Sequence, residues 1–149
     1  MILRLHPQLR IQKLTIGNER APLIVIDDFV AEPEKLIRRA ASRPFTPQGA
    51  YYPGIRAEAP LGYQLLFERD LRSMLFEYFE LQGRAFKFTM CHYSLVTMSP
   101  DKLSFLQRIP HIDSVNRNGL ASVHYLFRGN QGGTGFYRHR KTGFEYVDE

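Results

Sequence analysis

Apolar and polar positions alternate with two different periods along this chain, and the change from one to the other divides it into halves. Pro22 to Val30, PLIVIDDFV, is a short apolar run rich in Ile and Val that ends in two aspartates, the pattern of a buried strand reaching a turn. From Glu32 the stretch AEPEKLIRRAAS places Pro33 in a first turn, acids in front and bases behind, with Leu36, Ile37, Ala40 and Ala41 on one stripe. That is a helix, and Pro44 ends it. Between Arg43 and Gly62, four prolines and two glycines predict a long loop, in which Tyr51, Tyr52 and Arg56 either cover a ligand or belong to an ordinary surface excursion. Leu71, Met74, Leu75, Tyr78 and Phe79 recur at helical spacing and predict a second helix over Glu68 to Leu81.

After Gly83 the period falls to two. Phe86, Phe88 and Met90 alternate with Lys87 and Thr89, and the run continues to Val96 as one long predicted strand. Leu120 to Arg128 and Thr134 to Arg140 read as two more strands between glycine-containing turns. The expected architecture is a single α+β domain over 1–149. A mixed, helix-bearing support region occupies 1–85, and antiparallel strands over 86–149 curl into a sandwich or barrel.

Composition narrows the function classes. With 149 residues, 44% apolar and 23% charged, the chain reads as a soluble globular protein. It has no apolar run of the ~20 residues that a membrane-spanning helix requires and no secretory leader pattern, so a cytoplasmic address and no membrane partner are expected. A lone Cys91 excludes an intrachain disulfide and a thiolate zinc site. The formal charge of +5 is spread thinly: basic and acidic residues number eight and five over 1–43, five and five over 44–99, and seven and five over 100–149. Only Arg138, Arg140 and Lys141, around His139, form a basic run, so nucleic acid is not the favoured partner.

The segment most informative about chemistry is QRIPHIDS, Gln107 to Ser114. His111 and Asp113 are two apart, so on an extended backbone they face the same way and can grip one metal ion. An imidazole and a carboxylate are also two of the three ligands of the facial triad that holds non-haem Fe(II). By itself H-x-D also fits a surface turn. Here it follows a long predicted strand and a loop with Pro100 and Pro110, and leads through a turn into an apolar strand.

The series PHID, LASVHYLF and GNQGGTGFYRH resembles the central part of the Fe(II)- and 2-oxoglutarate-dependent oxygenases of the prolyl-hydroxylase type, and IDDFVAEPEKLIRRAAS is similar to their first strand and helix. More narrowly, LVTMSPDKLSFLQRIPHID with GGTGFYRHRKTGFE resembles a small uncharacterised bacterial family near that superfamily. The resemblance implies N-terminal helices packed on a double-stranded β-helix of jelly-roll or cupin type, with Fe(II) and 2-oxoglutarate as cofactors and a small-molecule or peptide substrate. His111 and Asp113 fall on the metal ligands, with His139 as the candidate third. Tyr93, Thr134 and Arg138 fall on co-substrate contacts, and Phe136 on the pocket wall. The other downstream histidine, His124, lies mid-run and reads as a hydrogen-bonded sheet histidine.

An eight-stranded jelly roll needs roughly 75 residues, and Phe86 to Glu149 offers 64. An incomplete barrel is therefore expected. Either the native chain continues past Glu149 to supply a distal histidine and a carboxylate anchor, or this is a reduced relative without catalysis. Open strand edges would also suit a homo-oligomer. The alternatives to an oxygenase are a catalytically inactive jelly-roll binding protein, or an interaction module using the basic run and the aromatic loop around Tyr51.

Overall fold

Helix α1, Pro33–Ala41, forms as its local signals require: Pro33 opens it, Glu34 lies in its first turn, and Arg38 and Arg39 lie in its last. Lys35 Nζ donates to Glu32 Oε2 at 2.7 Å across the helix start. Leu36 turns inward and is 1% exposed. The structure is a computed structural model and describes residues 1–147. Its class is mixed α+β, and the described residues divide between two compact units.

The first unit comprises Met1–Leu9 and Asp28–Ile109. Its N-terminal segment runs antiparallel to the chain before α1: Leu5 bridges Val30, and the His6 N–H donates to the Phe29 carbonyl at 3.1 Å. The second predicted helix starts earlier than its apolar stripe suggests. Helix α2, Leu61–Leu66, passes through a π-helical turn, Phe67–Leu71, into helix α3, Arg72–Tyr78. The wider i→i+5 turn absorbs one extra residue. Leu66, Leu71 and Leu75, spaced by five and then four, all stay buried as a result.

Two short strands replace part of the predicted loop over 43–62. Strands β3 (Thr46–Pro47), β4 (Gly54–Glu58) and β5 (His92–Val96) form an antiparallel sheet in the order β3-β4-β5. Ala57 lies opposite Tyr93, and both are buried. The backbone of Gly54 passes so close to β5 that a Cβ there would overlap the Leu95 carbonyl oxygen.

The long strand predicted over Phe86 to Val96 is confined to its last five residues. The reason is side-chain packing. Phe86 and Phe88 pair ring-to-ring with Phe76 and Phe67, at centroid distances of 5.0 and 6.2 Å. The Phe86 N–H is taken by Glu68 Oε2 at 2.9 Å instead of by a strand carbonyl.

The second unit comprises Arg10–Asp27 and Pro110–Glu149. Strands β1 (Arg10–Ile16) and β2 (Ala21–Asp27) make a hairpin, with Arg10 opposite Asp27 and Ile16 opposite Ala21. The strand predicted over Pro22 to Val30 is thus found, shifted towards its N-terminal end. The strands predicted over Leu120 to Arg128 and Thr134 to Arg140 are not, because among the described residues no second backbone run completes a ladder with either of them. No residue of this unit is fully buried among those described, and the described sheets close no barrel.

Gly54→Ala should lower stability by about 1–3 kcal/mol, since a rigid backbone carbonyl occupies the space of the new methyl group. A urea midpoint unchanged from wild type would contradict the close approach of β4 and β5.

Candidate functional site

Short helix α4, Phe105–Arg108, is opened by a reciprocal cap in which the Ser104 N–H donates to Gln107 Oε1 at 2.8 Å. Pro110 prevents its continuation, so the H-x-D pair lies on an irregular, exposed stretch. His111 Nε2 stands 3.6 Å from Asp113 Oδ1, with the side chains 75% and 77% exposed. Neither side chain takes a hydrogen bond among the described residues.

With metal bonds of ~2.0–2.2 Å, two ligands on one ion stand roughly 3–3.5 Å apart. The pair therefore fits one divalent ion after a small adjustment. His139, the candidate for a third ligand, does not join it among the described residues. His139 Nδ1 is engaged by Thr142 Oγ1 at 2.7 Å, and the His139 backbone closes a turn with Phe144. Among the described residues no three His, Cys, Asp or Glu side chains converge on a common point. His124 is largely removed from water, and that desolvation lowers its pKa and favours the neutral ring.

The residues expected to contact a co-substrate have diverse surroundings. Tyr93 belongs to β5, and its hydroxyl is buried without a hydrogen-bond partner. Burial pushes its phenol pKa up, against the opposing effect of the Arg39 charge. Thr134 Oγ1 shares a short hydrogen bond with the Tyr125 hydroxyl. Phe136 is well exposed.

Arg138 is engaged by Glu145, to which its Nε donates at 2.7 Å and its terminal nitrogen donates as well. Glu145 in turn accepts the N–H groups of Asn18, at 3.0 Å, and Glu19, at 2.9 Å, in the β1–β2 turn. Glu19 reciprocates by accepting the Tyr146 N–H at 2.9 Å. Gly17, at φ +72°, leaves room for this carboxylate, because a Cβ there would overlap it. These donors, the Glu19 and Asn18 amides first and then Arg138, hold the Glu145 carboxyl pKa down at about 2. No local motif marks Glu145, since the two backbone amides that it accepts lie 126 and 127 residues away in the chain.

Comparison with protein families decides the relationship, because one family model matches residues 7–149. The chain belongs to DUF6445, a family of unknown function. No curated protein and no solved structure matches it. In this DUF6445 chain, no helix among the described residues is long and apolar enough to cross a membrane.

Acidification should release the Glu145 clamp. Its folded-state pKa is depressed from 4.5 to about 2, so its contribution is complete above pH 4.5 and is lost as the pH falls towards 2. The amide resonances of Asn18 and Glu19 should titrate with a midpoint near 2, and a midpoint at the ordinary carboxylate value would disprove the clamp. Tyr93→Phe removes an unpaired buried hydroxyl and should leave stability unchanged or raise it by up to about 1 kcal/mol. A clear loss in denaturant titration would show that the hydroxyl has a partner.

Proposed function

We propose that the protein is a non-haem Fe(II)/2-oxoglutarate oxygenase-type protein on a jelly-roll framework, acting on a small-molecule or peptide substrate, with His111 and Asp113 as its first two metal ligands. The observation that carries this reading is the H-x-D pair itself. Its imidazole and carboxylate stand 3.6 Å apart, exposed and adjacent, a donor set suited to Fe(II). The order of the segments around the pair, with the glycine turn at Gly132 and Gly133 downstream, supports it further.

When bound, Fe(II) with 2-oxoglutarate and dioxygen supplies oxidising chemistry. This chain's contribution is to hold the ion at one open face. The described residues do not gather a third ligand, so no catalytic step is assigned to His139, Thr134 or Arg138.

A second reading, a jelly-roll binding protein without catalysis, draws on the same arrangement. Arg138 is engaged by Glu145 and Thr134 by Tyr125, so both have structural partners. The two readings separate in one experiment on the full chain. Anaerobic addition of Fe(II) and 2-oxoglutarate should produce a weak visible charge-transfer band, and His111→Ala should abolish it. A wild-type protein that gives no band is not an oxygenase of this type and fits the binding protein instead.

A further inference from the structure

The three-stranded sheet of the first unit has one apolar face and one polar face, and the polar face is chemically unusual. In an antiparallel ladder, directly opposed residues share a face, and so do residues two apart in one strand. Ala57 and Tyr93 are opposed and buried, which defines the core face. Arg56 is opposed to Thr46 on one side and Ser94 on the other, while Glu58 is opposed to His92. These five residues therefore share the second face, with two hydroxyls beside a guanidinium, an imidazole and a carboxylate.

Several polar atoms on this face lack partners. Arg56 Nε and His92 Nδ1 are both buried without a hydrogen-bond partner. Arg43, from the end of α1, reaches over the rim with a terminal nitrogen 3.9 Å from Glu58 Oε2, and its own Nε is likewise buried and unpartnered. A buried guanidinium N–H without an acceptor costs stability, and such groups nearly always have a partner.

The local charge is also unbalanced. Arg56 and Arg43 bring two guanidinium groups to the neighbourhood of one carboxylate, and Glu58 is 78% exposed and lies beyond hydrogen-bond range of Arg43. Tyr52 stacks on Arg56 with the guanidinium carbon 3.9 Å from the ring centroid, which fixes the plane of the cation and covers it. The backbone beside it is tethered as well, since Gln107 Nε2 donates to the Tyr51 carbonyl at 3.1 Å.

We propose that this face binds the carboxylate or phosphate group of a small molecule, held by Arg56 and His92 beneath Tyr52, with Arg43 at the rim. A planar guanidinium offers two parallel N–H bonds to such an oxyanion. The single excess positive charge suits one anionic group. Thr46 and Ser94 supply hydroxyls for a neutral remainder of the ligand, and Glu58 repels a second anionic group placed beside the first. The site lies within the first unit and stands independently of the metal reading, because it uses neither His111 nor Asp113.

Titration of the full chain with inorganic phosphate and, separately, with acetate tests the site and distinguishes the two ligand sources. The expected result is a saturable shift of the Arg56 Nε–H resonance and of the His92 ring resonances with one or both probes. The probe that saturates at lower concentration identifies the preferred group. Arg56→Gln should weaken binding roughly tenfold or more, and Arg56→Lys should also weaken it, because an ammonium lacks the fork. Arg38→Gln, which removes an equal charge from an exposed position of α1, should leave it unchanged. No saturable shift with either probe overturns the proposal. So does an equal loss in Arg38→Gln, which would mean non-specific attraction. The wild-type titration locates the site without any variant, so a poorly folded variant does not affect the outcome.

Discussion

A β-strand exists only where a second backbone run completes its ladder, and this constraint shapes the molecule more than apolar patterning does. Leu120 to Arg128 is a comparably apolar run to Ala21–Asp27, yet only the latter is a strand, because β1 lies beside it in register over seven residues. The same rule explains the run from Phe86. Its first residues have their rings against α3 and the π-helical turn and their amide on Glu68, and only His92–Val96 meets β4.

Where ladders are absent, carboxylates perform comparable long-range work. Glu68 joins the helical segment to Phe86 and is itself held by Arg72 Nη1 at 2.7 Å, so the Phe86 amide and Arg72 together lower its pKa. Glu145 joins the end of the described chain to the β1–β2 turn and is held by Arg138. Both follow one design: an arginine orients a carboxylate, and the carboxylate accepts backbone N–H groups that have no strand or helix partner. In the second unit, which has no fully buried residue among those described, this clamp ties distant segments together.

The candidate chemistry was legible to different depths. His111 and Asp113 were visible because two residues at a spacing of two need no tertiary knowledge to be placed together, and the structure holds them 3.6 Å apart. Arg56 and Tyr52 were visible as members of a loop but not as a stacked pair, since stacking depends on β4 forming at all. His92 was hidden inside a predicted strand of eleven residues whose facing was ambiguous. Its place beside Arg56 follows only from the register with β4. Arg138 was visible as a member of a basic run, but its pairing with Glu145 emerges only in the structure.

By itself the sequence determined helix α1, Pro33–Ala41, the α+β class and the H-x-D pair. Each depends on interactions within a few residues, where helical hydrogen bonds, capping and side-chain period are written locally. Only the tertiary structure decided which apolar runs became strands, which face of the sheet carries Arg56 and His92, and which carboxylate holds Arg138. Those outcomes depend on partners that can lie as much as 127 residues away, and a one-residue change of register would move every side chain of a strand to the other face.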